Sequence, residues 1–154
     1  MLRISKLTDY AIILMVYIGK NCDVTYRASE LAVSTNISAP TVAKLLKKLT
    51  KAKLLQSARG ALGGYKLALE PADISVADII ACIEGPVGLT QCSVHEHLCD
   101  ISNVCNLKLP WIHINSLILN TLKNYNLNEL ISVTNVPKHQ RINLKQTVKS
   151  ETDE

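Results

Sequence analysis

Cys92, Cys99 and Cys105 stand in one short stretch, spaced C-x6-C-x5-C, with His95 and His97 inside the first gap. Thiolate and imidazole are the side chains that hold iron–sulfur clusters and zinc. The stretch, residues 91–109 (QCSVHEHLCDISNVCNLKL), carries no helical or strand period, although helix patterns flank it on both sides. Three thiols in one loop of a chain with no visible export signal call for metal or redox chemistry rather than a disulfide framework. An iron–sulfur cluster is the leading reading, because a loop of this length can bend three sulfurs toward one cluster. The fourth ligand then has to come from His95, His97, His113 or, across a subunit boundary, Asp9. Two chemistries compete. Zinc accepts a Cys3His set, but its ligands commonly pair at C-x2–4-C spacing and the gaps here are wider. A metal-free thiol switch needs only reactive cysteines. Cys22 and Cys82 stand apart and read as small apolar thiols.

The rest of the chain must position this loop. Its 154 residues allow one domain with an attached element, or two small ones. Hydrophobic residues make up 47% and aromatics 4%, with no Phe, so the core must be built from aliphatic side chains. The longest apolar run, residues 11–18, falls far short of the roughly 20 residues of a membrane span. No membrane partner is expected, and the cytoplasm is the expected location. The net charge of +4 is unevenly spread. Residues 1–70 hold 11 Lys/Arg against 4 Asp/Glu, whereas residues 71–132 hold 2 against 6. A basic N-terminal half joined to an acidic one suits a nucleic-acid-binding module attached to a different function.

The basic half has a recognisable order. Residues 5–20 read as a mostly buried helix, with Ser5 and Thr8 as candidate caps and Asp9 in the first turn. Residues 27–33 read as a short helix with Ala28, Leu31 and Ala32 inward, broken by Ser34-Thr35-Asn36. Ser38-Ala39-Pro40 opens the next helix, where Pro suits the first turn. Over 41–53, Val42, Leu45, Leu46 and Leu49 form one apolar face, and Lys44, Lys47, Lys48 and Lys51 form another. Two short helices joined by a tight turn, the second basic on its outer face, make a helix-turn-helix. Residues 54–59 and 65–69 alternate as strands around the glycine-rich turn 60–64, with Tyr65, Leu67 and Leu69 on one face. This hairpin completes a winged helix. The glycines read as turn residues, since no strand–loop–helix order or Gly-Lys-Ser/Thr accompanies them. The expected DNA-binding residues are Ser38, Pro40, Thr41, Lys44, Lys47 and Lys48 at the major groove, with Arg59, Gly60 and Lys66 on the wing near the minor groove.

Residues 75–84 form a further helix with Ser75 and Asp78 as a capping box, stopped by Gly85-Pro86. After the cysteine loop, Pro110 opens a long helix to about Lys123. Its apolar residues (Trp111, Ile112, Ile114, Leu117, Ile118, Leu119 and Leu122) spread over several faces, too many for a surface helix of a monomer, so it is expected to pair two copies. Asn126 and Glu129 mark a short last helix to about Ser132. The polar remainder reads as a disordered tail. No catalytic constellation stands out, and neither an enzymatic activity nor a small-molecule substrate is expected.

These residues resemble the IscR/NsrR family of winged-helix iron–sulfur regulators over about residues 1–132. The resemblance rests on Leu7-Thr8-Asp9-Tyr10-Ala11, on Arg59-Gly60 with Gly63-Gly64-Tyr65, and on the three cysteines after the helix at 75–84. Pro40-Thr41-Val42, Glu84-Gly85-Pro86, Leu89-Thr90 before Cys92, and Trp111 with Ile114-Asn115 are most similar to the branch that regulates SUF cluster-assembly genes. The resemblance implies a mainly α winged-helix homodimer with a long C-terminal dimerisation helix, bound to double-stranded DNA at a palindromic operator. It implies Cys92, Cys99 and Cys105 as ligands of a cluster, [2Fe–2S] ahead of [4Fe–4S]. One branch of the family places a ligating His where this chain has Lys108, so Asp9 of the other subunit, His95 or His97 is left to complete the site. The implied division is a DNA-binding domain at 1–86, the cysteine loop at 87–109, the dimerisation and final helices at 110–132, and the tail at 133–154. The expected function is a cluster-sensing regulator, in the sense of a repressor, of SUF-type genes. A zinc- or thiol-switched regulator and an iron–sulfur carrier are the alternatives.

Overall fold

The computed structural model describes residues 4–60, 63–94 and 105–135. The wing tip at 61–62, the loop residues His95, His97 and Cys99, and the tail beyond 135 lie outside the described residues. Helix α1, Lys6–Gly19, starts at Ser5, whose side chain accepts from the Thr8 N–H. Its apolar run places Ala11, Leu14, Met15, Val16 and Ile18 in the core. α2, Ala28–Thr35, is closed by Asn36 in the left-handed conformation (φ 55°), which Asn tolerates better than most residues. The chain turns at once into α3, Ala39–Lys51, with Pro40 in its first turn and Val42, Leu45, Leu46 and Leu49 buried.

Strands β1 (Leu55–Ala58) and β2 (Gly64–Leu67) pair antiparallel, with Leu55 opposite Leu67 and Ala58 opposite Gly64. Tyr65 is half-buried against the core. Leu54, Leu55 and Leu67 are buried, whereas β2 ends at Leu67 and Leu69 is exposed. The expected alternating face through Leu69 is therefore corrected: it holds for Tyr65 and Leu67, but the strand stops before Leu69, which lies past the paired segment in solvent. The glycines also do more than turn the chain. Gly60 has a positive φ, but Gly64 lies under the backbone of Tyr26, which exchanges two hydrogen bonds with Tyr65 (2.8 and 2.9 Å). A Cβ on Gly64 would meet the Tyr26 carbonyl oxygen at 2.5 Å. The loop between α1 and α2 thus pins the wing to the core.

After a 3₁₀ turn at Pro71–Asp73, α4 (Val76–Glu84) carries the full capping box of Ser75 and Asp78. A four-residue helix, α5 (Gln91–Val94), lies inside the cysteine stretch, where no helical period is legible. The long helix α6 spans Lys108–Asn124 and α7 spans Leu127–Thr134. α7 does not stay with α6. Leu127 and Ile131 enter the core beside Gly19 of α1, and the Leu127 N–H donates to Ile74 O at 2.8 Å. The final helix therefore closes the winged-helix core, and α6 bridges from the cysteine stretch back to it. Among the described residues no helix is long and apolar enough to cross a membrane.

The last residue of α4 ties the fold together. Glu84 Oε1 accepts from the Ser5 N–H at 2.9 Å and from the Thr8 hydroxyl, holding the start of α1. The Thr8 hydroxyl, followed by the Ser5 N–H, holds the Glu84 carboxyl below its ordinary pKa. A depressed folded-state pKa contributes stability above the unfolded value and loses it as pH falls through the folded one. Replacing Glu84 by Gln should therefore lower the urea midpoint near neutral pH, with the gap to the native protein closing below about pH 4; a gap independent of pH would contradict the assignment. Gly64→Ala should destabilise by about 1–3 kcal/mol in urea unfolding, because a backbone carbonyl cannot step aside for the new methyl. No loss would mean that Tyr26 does not cover the wing in solution.

Candidate metal centre and nucleic-acid interface

Two of the three expected thiol ligands are described, and both are free and half-buried. Cys92 sits in α5 with its Sγ 3.1 Å from Thr90 Oγ1. Thr90 is itself fixed, its N–H donating to Ser93 Oγ at 3.1 Å and its carbonyl accepting from the same hydroxyl at 2.8 Å. Cys105 lies just before α6, on which α5 packs, so both ends of the thiol stretch return to one helix. Half-buried thiols at the two ends of a short segment fit an iron–sulfur or zinc donor set. Cys99, His95 and His97, the other expected ligands, lie outside the described residues. Among the described residues no three His, Cys, Asp or Glu side chains gather as a metal site. His113 is exposed on α6, and Lys108 opens that helix. Asp9 is exposed in the first turn of α1, on the surface formed with Ile4, Ser5, Lys6 and Ile12. Burial pushes the Cys82 thiol up, with the Lys48 ammonium pulling partly back, which suits a protonated thiol rather than a ligand.

One residue that sequence reasoning did not single out for a role holds this region. Asn115 is the one buried residue of α6, only 7% exposed. Its Oδ1 accepts from the Leu89 N–H at 3.1 Å and its Nδ2 donates to Val87 O at 3.3 Å. The amide thus clamps the backbone just ahead of Cys92 onto α6. The sequence offered little signal for it, because α6 also carries Asn120 and Asn124, both exposed, and only burial with partners separates Asn115 from them.

The basic face divides differently from the expectation. Lys44, Lys47 and Lys51 are exposed on α3, while Thr41 is half-buried, its hydroxyl 2.8 Å from that of Ser38. Ser38 and Pro40 are exposed at the start of the same helix, and Arg59, Gly60 and Lys66 are exposed on the wing. Lys48 departs from this set. It is half-buried, and its Nζ donates to Ile83 O at 2.9 Å. Helical period gives the direction of a side chain but not what lies there, and the end of α4 lies beside Lys48.

The sequence profile of Rrf2, described as an iron-dependent transcriptional regulator, matches residues 4–133. The chain belongs to the Rrf2 family. It is 27% identical to the HTH-type transcriptional regulator NsrR of Halalkalibacterium halodurans over 133 residues, covering 85% of this chain and 91% of that protein. Among solved structures it is similar to CymR, the global cysteine regulator of B. subtilis, with TM-score 0.69 and 30% identity over 86% of this chain and 98% of that one. It is also similar to T. potens IscR, with TM-score 0.66 and 27% identity over 86% and 88% of the two chains. This Rrf2 protein is therefore a winged-helix transcriptional regulator and not an enzyme, and its family binds DNA.

Replacing Asn115 by Ala leaves the Leu89 N–H and the Val87 carbonyl without their side-chain partner. A buried group so stranded costs about 1–3 kcal/mol. The variant should lose stability in that range and lose hydrogen-exchange protection at the Leu89 amide; unchanged protection at Leu89 would contradict the clamp.

Proposed function

We propose that this Rrf2 protein is an iron–sulfur-sensing regulator that acts in the cytoplasm as a homodimer on a palindromic operator, repressing SUF-type cluster-assembly genes. The observation that carries the reading is the thiol segment itself, anchored at both ends on α6 next to the Asn115 clamp. The iron-dependent description of the matched family supports it. Cys92, Cys99 and Cys105 are the proposed ligands, with Asp9 of the second subunit, His95 or His97 as the fourth, and [2Fe–2S] ahead of [4Fe–4S]. When bound, the cluster supplies a crosslink among the thiolates that is sensitive to oxidants and to iron supply.

The chain's own residues do the rest. α6 exposes Leu109 (76%), Leu117 (54%), Ile114 and Trp111, a surface too apolar to leave in water. We assign it to the second copy, in line with a symmetric self-complementary dimer. In such a dimer the two α3 helices read major grooves about one helical turn, roughly 34 Å, apart. Lys44 and Lys47 meet phosphates there, Ser38, Pro40 and Thr41 lie at the helix entry, and Arg59, Gly60 and Lys66 follow the flanking groove. The likeness to Staphylococcus aureus CymR, solved in an oxidized form, favours a second reading, a regulator switched through its thiols without metal.

Anaerobic purification separates these readings. The proposed function predicts a brown protein containing iron and acid-labile sulfide, both lost on replacing Cys92, Cys99 or Cys105 by Ser. A colourless protein with stoichiometric zinc, or with reactive thiols and no metal, would overturn it. For the DNA face, Lys44→Ala and Lys47→Ala should each reduce the slope of log affinity against log salt by about 0.9. Unchanged slopes would place both lysines off the DNA.

A further inference from the structure

Lys48 is the basic residue of α3 that the outward face does not use. Its ammonium sits on the carbonyl of Ile83, 2.9 Å away and 35 residues along the chain. That carbonyl is one of the last four of α4, so no helical N–H reaches it, and the negative end of a helix favours a cation. Ile83 is buried, which shields the contact on its inner side. The next residue, Glu84, grips the start of α1, and Gly85 then ends α4 with φ 94°. Four residues beyond Ile83, Val87 is held by Asn115, and Leu89 by the same amide. The short connection from α4 to α5 is thus bracketed by two side-chain anchors. One reaches back to the recognition helix, and the other reaches the helix that receives the cysteine stretch.

We infer that Lys48 is a positioning residue rather than a phosphate contact, coupling the recognition helix through the end of α4 to the Asn115-clamped segment that leads into Cys92. This rests on the regulator reading above. A change in the segment after residue 90 acts on 87–89, and through them on the Ile83 carbonyl that accepts from Lys48 of α3. Removing the Lys48 ammonium frees α3 from that carbonyl while leaving Lys44 and Lys47 in place.

The test uses a duplex selected from a random-sequence pool by the native protein. Affinities are measured over a salt series for anaerobically purified and chelator-stripped protein. Lys48→Met should keep the native salt slope, whereas Lys47→Ala loses about 0.9 from it. Lys48→Met should also bring the ratio of loaded to stripped affinity closer to one by roughly threefold or more, within the range of coupling mutations. Lys48→Arg, which keeps a donor for Ile83, should restore that ratio. Lys48→Leu, which likewise has no donor, serves as the second variant if the Met variant does not fold. A slope loss in Lys48→Met equal to that of Lys47→Ala would make Lys48 a phosphate contact and overturn the inference. A native-sized ratio in Lys48→Met, with the native protein responsive, would overturn the coupling alone. A native protein indifferent to stripping would end the sensor reading and the coupling with it.

Discussion

A helix that ends inside a protein leaves carbonyls that no further turn can satisfy, and α4 ends where three parts of this molecule meet. Its Ile83 carbonyl takes the Lys48 ammonium of the recognition helix, its Glu84 carboxylate takes the Ser5 N–H and Thr8 hydroxyl of α1, and Gly85 sends the chain toward the cysteines. Backbone hydrogen bonds span similar separations between Tyr26 and Tyr65, Ile74 and Leu127, and Val76 and Tyr125, whereas the contacts at the end of α4 are made by side chains. The aliphatic core supplies most of the burial, but apolar packing is non-directional. The hydrogen bonds at the end of α4 add direction, because each is satisfied in only one arrangement of the helices.

That arrangement makes the molecule two connected layers of function. The basic face of α3 and the wing belong to the half that holds most of the positive charge. The thiol stretch and α6 belong to the other half, and α7 then returns to the core beside Gly19. Chain connectivity therefore passes from the DNA side to the thiol side and back again. A local change at the thiols acts on a segment pinned at both ends, and such a segment transmits displacement better than a free loop.

Much of the fold was legible because its signals are local. Pro40 after Ser38, Asp78 after Ser75 and Glu129 after Asn126 mark helix starts, and the structure begins helices at each. The expected winged helix is present, in agreement with the solved relatives. What stayed hidden depends on contacts between distant residues. Lys48 has the same helical phase as Lys44, so only the position of α4 shows that it turns inward. Gly64 is dictated by the backbone of Tyr26, and no local pattern announces that approach. The docking of α7 brings the ends of the Ile131 and Leu127 side chains close over Gly19 of α1, an approach that no local pattern announces. Asn115 could be noticed but not assigned, because its partners are backbone atoms 26 and 28 residues earlier. The proposed metal ligands rest on residue types and spacing, and Cys99, His95 and His97 fall outside the described residues.

If the state of the thiol segment reaches α3 through the end of α4, hydrogen exchange on the anaerobic protein before and after chelator stripping will show it. Protection should change from the thiol segment through residues 83–89 into the C-terminal half of α3. Changes confined to the thiol segment and α6, with residues 83–89 and α3 unaltered, would contradict it.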